Sequence, residues 1–195
     1  MKNTVKTLIA LITLVSLSFA QNLSETTVFN YADASEIEGT YSQLFRSENA
    51  VAMELRTSGL MPEAPYTVWW VIFNNPAACS DACDANDLFA EDGSLSLNEA
   101  AEISILFADG AMSDAEGNGN FSAVLTQDRP FGQVLVGPGL TATQDAEIHL
   151  VVRTHGELIP ELAYGQLSQG SACTDCYKKD VQFAVHLAPQ AMAAN

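Results

Sequence analysis

Histidine, carboxylate, tryptophan and cysteine side chains carry most of the chemical potential of this chain, and they fall in a few short stretches. Residues 146–155 (AEIHLVVRTH) alternate, with Ala146, Ile148, Leu150 and Val152 on one parity and Glu147, His149, Val151, Arg153 and His155 on the other. Residues 181–187 (VQFAVHL) alternate too, and Val181, Phe183, Val185 and Leu187 read as the core parity, which leaves Gln182, Ala184 and His186 on the opposite face. If the two strands are neighbours, His149 and His186 lie side by side with Glu147 and Arg153, and with Glu54 and Arg56 in reach. Two neutral imidazoles and a carboxylate suit zinc or copper, so His149, His186 and Glu147 are the candidate metal ligands. His155 cannot share an ion with His149 unless the strand ends before His155, because six residues of extended strand separate them by about 20 Å. The plainer alternative is a solvated sheet face that merely tolerates its histidines.

Trp69 and Trp70 offer different chemistry. Adjacent strand residues point to opposite faces, so at most one of the pair can enter a core between sheets. The other becomes either a flat apolar platform or a ring covered by a loop. A platform beside Glu147 and Arg153 has the ingredients of a carbohydrate site, which makes Trp69, Trp70, Glu147 and Arg153 the candidate ligand contacts. Calcium is the third option. Asp81, Asp84, Asp87, Glu91 and Asp92 crowd one loop, and Asp114, Glu116, Asn118 and Asn120 another, although neither keeps the EF-hand register.

The cysteines point to compartment before function. Residues 1–20 combine Lys2 and Lys6, an apolar run and small residues before a cut after Ala20, the pattern of a secretory signal peptide. Residues 21–195 are then one exported domain, in which thiols normally oxidise. Cys79 and Cys83 are four apart and Cys173 and Cys176 three apart, and loop-closure entropy favours two local bridges over cross-pairing. His155-Gly-Glu157 followed by Cys173-Thr-Asp-Cys176 mimics the zinc-deaminase pattern. Ala172 stands where that pattern needs proline, and the surroundings are strand. No nucleophile elbow, zincin helix, Walker loop or dinucleotide fingerprint is present, so no catalytic residue is assigned.

The elements that must position these residues are strands. Residues 66–73 (YTVWWVIF) are apolar at nearly every position, as in a central strand covered on both faces. Residues 51–55, 103–108, 120–125 and 133–136, with the two histidine-bearing runs, bring the expected total to about eight. Residues 103–108 and 120–125 flank a Gly- and Asn-rich reversal and form a hairpin candidate. One short helix fits, within residues 160–167. The expected architecture is an antiparallel β-sandwich of the immunoglobulin or fibronectin type III kind. Leu60, Pro62 and Tyr66 have the spacing of a tyrosine corner, in which the phenol bonds back to the preceding turn.

Composition limits the partners. Lys+Arg total 8 against Asp+Glu 24, a net charge of −16, which repels phosphate backbones and argues against nucleic acid. No run after the signal segment reaches the roughly 20 apolar residues of a membrane helix. The blocks YTVWWVIFNNP, AEIHLVVRTHG and VQFAVH, with the two cysteine pairs, resemble a group of secreted bacterial proteins. That resemblance implies a secreted domain and brings no activity, cofactor or ligand with it. The expected role is a secreted non-catalytic binding or interaction module, with polysaccharide or protein as its extracellular ligand. The alternative is a metal-binding protein or metal-dependent enzyme built on the histidine face.

Overall fold

The computed structural model describes residues 22–127, 134–168 and 179–189. The expected signal segment of residues 1–20 and the expected Cys173–Cys176 bridge lie outside them. Among the described residues, ten strands form two antiparallel sheets. The smaller sheet has the order β1 (Leu23–Thr26), β3 (Tyr41–Arg46), β4 (Ala50–Thr57) and β7 (Gly119–Thr126). The larger has the order β2 (Phe29–Asn30), β10 (Lys179–His186), β9 (Glu147–Thr154), β5 (Pro65–Phe73), β6 (Ile103–Met112) and β8 (Val134–Val136). The expected all-β sandwich is therefore the fold.

The core lies between the sheets. Leu44, Met53, Leu55, Phe121 and Leu125 from the smaller sheet meet Val68, Trp70, Ile72, Leu106, Ile148, Leu150 and Val152 from the larger. Each such large apolar side chain withdrawn from water contributes roughly 1.5–3 kcal/mol. Where the chain turns into β5, the Met61 amide donates to Tyr66 Oη at 2.8 Å, which closes the expected tyrosine corner.

β5 is buried at all nine positions, because its outer face is covered as well. Residues 76–101 fold over one end of that face through three short 3₁₀ turns and the Cys79–Cys83 disulfide. Val71, Phe73, Cys83, Leu88, Ala101 and Ile103 form a second apolar cluster beneath them. Asn98 Nδ2 donates to the Ala78 carbonyl at 2.9 Å, which fastens the two ends of this segment together, and to the Asp87 carboxylate at 2.9 Å. Over the other end lie a 3₁₀ turn (Pro160–Leu162) and the helix α1 (Ala163–Leu167), where the short helix was expected. Gly110 on β6 makes this seat possible. A Cβ there would stand 1.8 Å from the Leu167 carbonyl oxygen.

Two expectations change. The reversal between β6 and β7 exists, with Gly117 N–H donating to the Asp114 carbonyl at 3.1 Å, but its strands are not a hairpin. β6 pairs β5 and β8, and β7 pairs β4, so the turn carries the chain from one sheet to the other. The parity of β10 is also reversed. The register shift between Asp180 and Gln182 puts Gln182, Ala184 and His186 inside, with Phe183 and Val185 outside.

Candidate functional site

The reversed parity of β10 separates the two histidines meant to share a metal. His186 sits opposite Ile148 and faces the sandwich interior; His149 sits opposite Val185 and faces outward. His186 is 1% exposed and bridges the sheets, with Nδ1 2.9 Å from Ser24 Oγ and Nε2 2.8 Å from Ser42 Oγ. A neutral imidazole suits this place, since one ring nitrogen accepts from a hydroxyl while the other donates. Burial above all, then the charges of Arg46 and His149, lowers its pKa to about 3. Close by, Thr57 donates to Gln182 Oε1 at 2.7 Å, and Arg46 Nη1 donates to the Thr143 carbonyl at 2.7 Å. This inner polar seam ties one sheet to the other.

Glu147 and His149 remain together, with Oε1 and Nε2 2.7 Å apart and Phe73 packed 5.0 Å from the imidazole. Glu54 and Arg56 pair with each other on β4 in the smaller sheet and do not join them. Among the described residues no group of three or more His, Cys, Asp or Glu is placed to hold a metal ion. The acidic loops use their carboxylates on their own backbone. Asp114 accepts from the amides of Glu116 and Asn118, Asp84 from that of Asn86, and Asp92 from that of Ser94. His155 is buried with Nε2 2.9 Å from Thr67 Oγ1, where the deaminase-like pattern would need a metal ligand.

Trp69 and Trp70 divide as strand geometry requires. Trp70 is 1% exposed in the core between the sheets, a structural position that removes it from the ligand contacts. Trp69 faces outward yet is only 5% exposed, so it is not an open platform for sugar stacking. Its Nε1 donates to Thr67 Oγ1 at 3.0 Å, Phe107 meets its ring edge-on at 5.9 Å, and the Arg153 guanidinium lies 5.8 Å from the ring centre. Arg153 is in turn held by Asp180 through two bonds, at 2.7 and 3.1 Å.

Between its two covers, the outer face of the larger sheet keeps a groove. One lobe, of about 260 Å³, lies over Trp69, Ile105 and Val151 and ends on Arg153 and Asp180. The other, of about 300 Å³, lies over Val151, Phe183 and Val185 and ends on His149. Tyr31, Val71, Leu88 and Val151 line both lobes. The wall of residues 76–101 supplies Cys83, Asp84 and Leu88 to one lobe and Leu88, Phe89 and Leu95 to the other. Burial first, then the Asp180 carboxylate, raises the Tyr31 phenol above its ordinary value against the opposing charge of Arg153, so it stays a neutral hydroxyl. Phe89, Leu95 and Leu135 expose more than a third of their surface at the rim.

Of the expected ligand contacts, Trp69 and Arg153 line this groove, while Glu147 orients its His149. Tyr31, Leu88 and Phe183 were missed, since single apolar residues in loops and at strand ends carry no motif. The signal that could have found the groove is β5 itself, whose unbroken apolar run requires an outer cover as well as an inner one. Compared with protein-family models, curated proteins and solved structures, the chain finds no match.

Proposed function

We propose that this chain is an exported binding module that seats a small, largely apolar molecule in the groove on the outer face of its larger sheet. The groove carries this reading. It is concave, apolar along its floor and furnished with a few polar groups at its ends, the usual make-up of a small-molecule site. The Cys79–Cys83 bridge supports export and also stiffens the wall that shapes the site. Aromatic and branched side chains locked in strands hold such a floor in place before a ligand arrives, which lowers the ordering cost of binding.

Equilibrium titration with Nile red, a neutral apolar dye whose emission rises on leaving water, tests the proposal. Saturable binding is expected, with affinity falling by about tenfold or more in a Leu95→Glu, Leu135→Glu double variant that puts charges on the exposed rim. Near-UV circular dichroism checks that the variant keeps its tertiary packing. Unsaturable binding, or equal binding by the variant, contradicts the proposal.

A further inference from the structure

We infer that the groove selects an elongated molecule, uncharged or cationic, with an apolar middle and a hydrogen-bonding group at each end. The inference rests on the binding reading above and adds the ligand's chemical class.

Length follows from the strand. His149 and Arg153 are both on the outer face of β9 and four residues apart, which sets the two polar ends about 13 Å from each other. Val151 stands between them, flanked by Trp69 on β5 and Phe183 on β10. A ligand reaching both ends must therefore cross an apolar saddle where nothing on the floor can satisfy a polar atom. At one end the Arg153–Asp180 pair and the Tyr31 hydroxyl offer donors and acceptors; at the other the His149 imidazole does, held from behind by Glu147.

Charge follows from the pairing. The Arg153 guanidinium at the site is already held bidentate by Asp180, and Asp84 adds further negative charge. The whole chain carries −16, so the field around the groove opposes an anionic head and favours a neutral or positive one. Fatty-acid-like carboxylates are disfavoured on this ground, whereas diols, amines and amino alcohols of the right length fit.

Competition against bound Nile red tests length and charge separately. The probes are the ten-carbon α,ω-diol, the matching diamine, the matching dicarboxylate and the four-carbon diol. At pH 7.5 the ten-carbon diol and diamine are expected to displace the dye at least about tenfold more effectively than the dicarboxylate or the short diol. Asp180→Asn, which removes the charge that neutralises Arg153, is expected to raise the dicarboxylate's affinity several-fold. If Nile red binds but the dicarboxylate or the short diol competes as well as the ten-carbon diol, or Asp180→Asn leaves the dicarboxylate unchanged, the ligand class is wrong and the binding site stands. If Nile red itself does not bind, the site falls and the ligand class with it.

Discussion

The two faces of the larger sheet use the same kinds of side chain for different ends. Inside, Trp70 is packed among Leu, Ile and Val from both sheets, and His186 and Gln182 each meet a hydroxyl from the opposite sheet. Outside, Trp69 and His149 belong to the same two or three strands, but their covers reach only over the ends of the face. The inner face is closed and its polar groups are consumed in holding the sheets together. The outer face is fastened at both ends and left open in the middle, with its polar groups paired at the margins. On the proposed reading, which face a residue occupies, and not its type, decides whether it serves stability or binding.

Substitution of the two tryptophans sharpens that contrast most. Trp70→Ala should remove on the order of 3–5 kcal/mol of unfolding free energy, because a fully buried indole leaves a cavity the surrounding strands cannot close. Trp69→Ala should cost less than that, because one side of the indole borders the groove, and should weaken Nile red binding as well. Urea denaturation measures the first effect and dye titration the second. Equal losses of stability would erase the difference between the faces.

Acid should act on the inner face. His186 has a folded pKa of about 3 against an unfolded value near 6.5, so the unfolded state binds the extra proton between these limits. The stability that its neutral form contributes is complete above about pH 6.5 and is lost as pH falls toward 3, in total on the order of several kcal/mol. Between pH 6.5 and 5, above the ordinary carboxylate range, His186→Gln should flatten the decline. Denaturant midpoints across that window test it, and an unchanged slope in the variant would assign the acid sensitivity elsewhere.

The disulfide belongs to the outer face and should affect the fold less than Trp70→Ala or the protonation of His186 does. Cys79→Ser with Cys83→Ser opens a loop of only a few residues, for which chain entropy accounts for about 2 kcal/mol at most. Dye affinity should fall by more than global stability does, since Cys83 lines the groove. Loss of stability with full retention of binding would show that the bridge holds the fold and not the wall.

The sequence was readable wherever polarity and position agreed. β4, β5 and β9 alternate or run apolar as their burial demands, and the Leu60–Tyr66 spacing set the corner. Reading failed where buried positions are polar. β3, which is not among the expected strands, turns Ser42 and Arg46 inward and Tyr41 and Phe45 toward the other side, and β10 turns Gln182 and His186 inward past a register shift. Either strand alone suggests the wrong face. Together they are consistent, because the inward hydroxyl of one meets the inward imidazole of the other. Arg46 shows what this costs: burial lowers its pKa to about 10, and three backbone carbonyls stand in for solvent around its guanidinium. A pairing that is local in space and 144 residues apart in sequence leaves no pattern in either strand.

The claim that ligand meets one face and not the other is tested most directly by methyl nuclear magnetic resonance of the labelled protein during titration with the ten-carbon diol. Val71, Ile105 and Val151 on the outer face, with Leu88 on the wall above it, are expected to shift. Ile72, Ile148, Leu150 and Val152 on the inner face are expected to stay, giving a perturbation of period two along β5 and β9. Shifts confined to the inner residues, shifts shared equally by both sets, or no shift at saturating diol would contradict the assignment of the groove as the binding site.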